Sequence, residues 1–191
     1  MFRPRVFISY AYDTERHKQQ VHDFAWFLRA EGGIDVRFDL WDSNLRRDWS
    51  AWIMEQVREA DFVLVVASPA YKRRAEGSVD PAEGRGVQFE TALLRDLLTQ
   101  DRGAWVHKVL PVVLPGRSVE EIPIFLQPHA ASRYVVASLT LDGVDELYRI
   151  ITGQPRHCRP VLGQLVIRPP QPLAGRADTR DERGEGRPVE G

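Results

Sequence analysis

Apolar positions recur along this chain in two alternating patterns. Arg5 to Ser9 is a short run of β-branched and aromatic residues, which predicts a strand. Val21, Phe24, Ala25 and Leu28 then fall at i, i+3, i+4 and i+7, one face of a helix. Asp13 is placed to cap that helix, and Gly32-Gly33 to end it. Ile34, Val36 and Phe38 alternate with polar residues and predict a second strand. A second helix follows, with Asp48 as its cap and Trp49, Trp52, Ile53 and Val57 on one face. Phe62 to Ala67 is continuously apolar, the pattern of a strand buried on both faces. A Gly- and charge-rich loop is expected from Tyr71 to Arg85. Val87 to Leu98 reads as a helix with Phe89, Leu93 and Leu97 stacked at i+4. Val109 to Leu114 is a fourth strand, and Pro111 within it points to a place near the sheet edge or a bulge. Tyr134-Val135-Val136 is a weak fifth strand. Leu141, Val144, Leu147, Tyr148 and Ile151 share one face of a last helix.

Strands alternating with helices of this length imply right-handed crossovers and a parallel sheet covered on both faces. Sites in such α/β sheets lie beyond the carboxyl ends of the strands, where the strand order reverses. That directs attention to Ser9 to Asp13, Asp39 to Asp42, Ser68 to Tyr71 and Leu114 to Gly116. Phosphate-cradling glycine motifs are absent. A phosphoacceptor domain is also excluded, because Ser9-Tyr10 and Ser68-Pro69 stand where its acidic residues would be. The five histidines show no metal spacing, and His17 and His22 read as surface positions.

Composition narrows the function classes. The 191 residues carry 26 Lys+Arg against 27 Asp+Glu, a net charge of −1. This balance removes the electrostatic case for binding nucleic acid or an anionic membrane. The single cysteine, Cys158, cannot form an internal disulfide and fits a reducing compartment. The longest strongly apolar run is far shorter than the roughly 20 residues that span a bilayer. A cytoplasmic location is expected. Residues 1–154 read as one domain and 155–167 as a linker or extended strap. Residues 168–191, rich in Pro, Gly and charge, cannot offset their ordering entropy and read as a disordered tail.

Five segments in order carry a family resemblance: Val6 to Tyr10, Asp35 to Asp42, Asp48 to Trp52, Ala60 to Val66 and Ser68 to Lys72. Together they resemble a bacterial SEFIR domain, a branch of the TIR-like superfamily, over residues 4–154. The resemblance implies a flavodoxin-like five-stranded parallel sheet with helices on both faces. It also implies self-association through TIR-type contacts, or pairing with another SEFIR or TIR protein, in a bacterial defence or stress response. In many TIR relatives it further implies cleavage of NAD⁺ at the nicotinamide–ribose bond, with NAD⁺ as substrate and no bound cofactor. The alternative is a non-catalytic homotypic signalling adaptor.

The family position of the catalytic glutamate falls on Glu90. A carboxylate near the ribose hydroxyls stabilises an oxocarbenium-like centre, and nicotinamide needs no general acid to leave. Glu90 also has a plain reading, as a first-turn acid stabilised by roughly 0.3–1 kcal/mol through the helix dipole. By the same resemblance Ser9 and Tyr10 line the nicotinamide pocket, and Asp39 and Trp41 complete the substrate site. Ser9 and Tyr10 also have a packing reading, and Trp41 a core one. Trp41, Asn44, Leu45 and Arg47 are the candidates for assembly contacts. Arg46-Arg47 and Lys72-Arg73-Arg74 read either as solvated charge or as phosphate contacts. The loop from Glu76 to Arg85 is placed to cover the cleft.

Overall fold

The computed structural model describes residues 3–44, 46–78, 84–127 and 132–170. One unit ends at His157 and a second begins at Cys158. In the first, β1 (Arg5–Ser9), β2 (Asp35–Arg37), β3 (Phe62–Val66), β4 (Val109–Val113) and β5 (Tyr134–Val135) form one sheet. Its order is β2-β1-β3-β4-β5, and every pair is parallel. The helices are α1 (Glu15–Ala30), α2 (Trp49–Glu59), α3 (Pro69–Ala75), α4 (Arg85–Gln100), α5 (Arg102–Lys108) and α6 (Asp145–Thr152).

Period-two alternation along the strands builds two cores. Val6, Ile8, Leu64, Val66, Leu110 and Val112 pack on one face with Phe24 and Leu28 of α1 and Leu147 and Ile151 of α6. Phe7, Val63, Val65, Val109 and Val113 pack on the other with Trp52 and Val57 of α2, Tyr71 of α3 and Leu94 of α4. Each large side chain so buried contributes roughly 1.5–3 kcal/mol. The sheet is thus covered on both faces, and its apolar residues hold the carboxyl ends of β1 and β3 side by side.

Several local expectations change. Thr14, not Asp13, caps α1, its side chain accepting from the His17 N–H. Asp13 instead pairs with Arg117 at 3.3 Å. The expected loop from Tyr71 begins as helix α3, because Ser68 caps it and Pro69 sits in its first turn. Residues 79–83 of that loop lie outside the described residues. A further short helix, α5, precedes β4, capped by Asp101. On α4 the fully buried positions are Thr91, Leu94 and Leu98. Phe89, Leu93 and Leu97 flank them and are only partly covered, because α4 packs between α2, α3 and α5. Leu141 lies in the turn before α6 and is exposed. Pro111 aligns with Val65 of β3, while β5 pairs only with Val112 and Val113. The proline therefore sits where the last strand has not yet begun, and its missing N–H is tolerated.

His17 is the largest departure: it is fully buried, not a surface residue. Neither ring nitrogen has a hydrogen-bond partner. Burial first, then the nearby Arg117 charge, pushes its pKa down to about 4, with Asp13 opposing. The ring is therefore neutral in the folded protein at neutral pH.

In the second unit, residues 158–170 form no helix or strand, and Val161, Leu162, Leu165, Val166 and Ile167 are exposed. Among the described residues no helix is long and apolar enough to cross a membrane.

Candidate functional site

The chain runs from β1 outward to β2 and then back across to β3, so the strand order reverses at β1 and β3. Ligand sites of doubly wound sheets form in that crevice. Ser9, the last residue of β1, lies at that point and is buried. Glu90 reaches it from α4, and Ser9 Oγ donates to Glu90 Oε2 at 2.5 Å across 81 residues of sequence. Tyr71 of α3 stands behind them, fully buried, with its Oη 2.9 Å from Ser9 Oγ.

A serine hydroxyl carries one proton, which fixes the direction of this chain of bonds. When Glu90 is ionised, Ser9 donates to the carboxylate and Tyr71 donates to Ser9. When Glu90 is protonated, the carboxyl can donate to Ser9, and Ser9 to Tyr71. The three groups form a hydrogen-bonded row that adapts to either state of the acid.

Burial pushes the Glu90 pKa up to about 8; the Asp39 charge adds to the rise and the Ser9 bond opposes it. Asp39 is itself raised, chiefly by burial, with bonds from the Leu40 backbone and the Tyr10 hydroxyl opposing. Its Oδ1 is buried without a hydrogen-bond partner. Tyr10 is raised by burial and then by Asp39. Ser9, Tyr10, Asp39 and Glu90 thus gather at one sheet edge, with two acids close enough to influence each other. Tyr71 belongs to the same cluster and had no functional signal in the sequence beyond its place just after β3.

Helix geometry also bears on the plain reading of Glu90. Because α4 starts at Arg85, Glu90 lies in the second turn, and no acidic residue occupies the first. The dipole effect fades within one turn, so it does not explain this carboxyl. The start of α4 is held by Gly84, whose φ is +64°. A Cβ there would meet the Arg74 side chain at 2.4 Å, so glycine lets α3 and α4 meet beside the site.

Trp41 is not brought to Glu90. Its ring stands edge-on to Phe38 at 5.4 Å, with the Arg29 guanidinium 5.9 Å away. Phe38 in turn lies 5.3 Å from Tyr10. Of the assembly candidates, Asn44 is exposed and Leu45 lies outside the described residues. Arg47 is not simply solvated. It stacks over Trp49 and Trp52 at 5.5 and 5.4 Å and pairs with Asp42 at 3.7 Å. Lys72 and Arg74 are likewise engaged, donating to the carbonyls of Glu120 at 2.6 Å and Tyr12 at 3.1 Å. Arg46 and Arg73 are exposed.

Comparison with known proteins agrees with this architecture. Residues 4–152 match the SEFIR domain family model. The chain belongs to the SEFIR family. The crystal structure of a prokaryotic SEFIR domain superposes with a TM-score of 0.55 at 28% identity, covering 84% of this chain and 99% of that one. The interleukin-17 receptor B SEFIR domain superposes with a TM-score of 0.52 at 17% identity, covering 78% and 96% respectively, a likeness of fold. Interleukin-17 receptor D of Mus musculus is 30% identical over 138 residues, 65% of this chain but 19% of the receptor. The Homo sapiens receptor D is 36% identical over 73 residues, 37% of this chain and 10% of the receptor. The chain therefore spans only about a tenth to a fifth of the curated relatives it matches.

Proposed function

We propose that this SEFIR protein is an NAD⁺ glycohydrolase that cleaves the nicotinamide–ribose bond, and that self-association promotes the activity. The observation that carries this reading is the Glu90 carboxyl, hydrogen-bonded by Ser9 at 2.5 Å at the point where the strand order reverses. In the reaction the C1′–N1 bond breaks with its electron pair leaving to the pyridinium nitrogen. Neutral nicotinamide departs, and positive charge develops on the ribose. Water adds at C1′ and loses a proton, giving ADP-ribose. An ionised Glu90 beside the ribose hydroxyls stabilises the developing charge. In the empty protein Glu90 is mostly protonated at neutral pH; a cationic pyridinium nearby favours its ionised form. Ser9 holds the carboxyl in one orientation, and Tyr71 holds Ser9.

A second reading, a homotypic interaction module, has its own support. The curated relatives are receptors, and the segment after β2 presents Trp41 and Asn44 to solvent. The two readings part in one assay. Purified protein is incubated with NAD⁺ over a hundredfold range of protein concentration, and released nicotinamide is measured. The enzyme reading expects release, with specific activity rising as the protein is concentrated. No release at any concentration, with self-association intact, supports the interaction reading instead.

A further inference from the structure

We infer that the groove between α1 and the free edge of β2 is a binding site for a small aromatic anion of the nucleotide class. The inference is independent of the chemistry assigned to Glu90. The groove has a volume of about 680 Å³, and Trp26, Arg29, Arg37, Phe38 and Trp41 are among the residues that line it. That volume is in the range of small-molecule sites, roughly 300–1,000 Å³.

Two indoles open into this one groove. Trp26 is 52% exposed and Trp41 37% exposed. Trp41 is held edge-on by buried Phe38, so it offers a preset surface rather than a free rotor. A planar base stacks on such a surface whatever its identity.

The charge at the rim has one sign in excess. Arg29 and Arg37 on the groove wall share one carboxylate, Asp35, with Arg5, which also pairs with Glu59 at 2.5 Å. Arg29 uses only Nη1 in its bonds to Asp35 and to the Val36 carbonyl. Arg37 gives Nη2 to Asp35, and its Nε is buried without a hydrogen-bond partner. Asp42, the acid on the groove wall, is already engaged by Arg47. Guanidinium groups with unspent donors beside aromatic faces suit a phosphate joined to a base. The Arg29 bond to the Val36 carbonyl also occupies part of the β2 edge, which disfavours addition of a peptide strand there.

The test is a titration of the full chain with ADP, followed by calorimetry and tryptophan fluorescence at low salt. Adenosine alone and inorganic phosphate alone serve as half-ligands. ADP should bind and quench the fluorescence, each half-ligand should bind at least about tenfold more weakly, and added salt should weaken ADP. Trp26→Ala and Arg37→Ala should each raise the Kd by roughly tenfold or more, while Arg58→Ala, on the exposed face of α2 away from the groove, leaves it unchanged. Trp26 is half-exposed, so its removal spares the core; melting curves verify this. Lack of ADP binding in the millimolar range would overturn the inference. So would binding that tolerates both groove variants, or a concentration-dependent burial of the indoles that places a second copy in the groove.

Discussion

Glu90 should make the protein less stable as pH rises through neutrality, and replacing it with glutamine should remove that slope. In the unfolded chain Glu90 titrates near 4.5, and in the fold near 8. Between these values the folded state binds one more proton than the unfolded state. Stability then falls with rising pH, by about 1.4 kcal/mol per unit for a full proton difference. His17 acts in the opposite sense in a lower window. It titrates near 6.5 unfolded and near 4 folded, so its contribution is lost as pH falls from 6.5 towards 4. The two slopes oppose one another between about 4.5 and 6.5, and above that the His17 slope is gone while that of Glu90 remains. Glu90 is only partly buried by surface, and screening trims the effect to about 1–2 kcal/mol from pH 6 to 8.5. Urea unfolding of wild type and Glu90→Gln at several pH values measures this directly. The variant should gain on the wild type by that amount as pH rises. A difference between the two proteins that stays constant from pH 6 to 8.5 would show that the carboxyl ionises normally in the fold.

Other outcomes follow from the same geometry. Ser9→Ala removes a buried donor and should cost about 1–3 kcal/mol of stability; because the Ser9 bond lowers the Glu90 pKa, it should also move the rise of kcat/KM with pH to higher pH, read from a pH–rate profile. Deleting residues from Arg168 onward should leave the Tm within about 2 °C by scanning calorimetry, since that segment is dominated by Pro, Gly and charge. Leu45→Glu should reduce both self-association and specific activity, measured by sedimentation and by nicotinamide release, because a charge in an apolar contact is costly to desolvate.

Much of the fold was legible because its signals are local. The runs at Val6 and Phe62 and the alternation at Ile34, Val36 and Phe38 place three of the five strands, and every apolar residue of those patterns but Phe62 is buried. Helix α3 was not legible as a helix, although Ser68 followed by Pro69 is a start signal; a seven-residue helix has too few turns to show periodicity. His17 carried a signal that histidine chemistry masked. It stands four residues before Val21 and seven before Phe24, on the stripe that α1 buries. At the site, Ser9, Tyr10 and Asp39 were placed at the sheet's carboxyl edge by chain order, and Glu90 by the family resemblance. The bonds among them were not legible, because Ser9 meets Tyr71 and Glu90 across 62 and 81 residues. The contact of Trp41 with Phe38 was not legible either, because a position after β2 does not reveal which way its ring turns.

The most direct test of the central claim compares nicotinamide release by wild-type protein and Glu90→Gln at equal, high concentration near pH 8. The substitution keeps size and helix while removing a charge that matters in the transition state, so kcat and kcat/KM should fall together by about 10²–10³. The variant should remain folded and assembled. A wild type that releases no nicotinamide in any assembled state would contradict the enzyme reading, and equal release by both proteins would contradict the role given to Glu90.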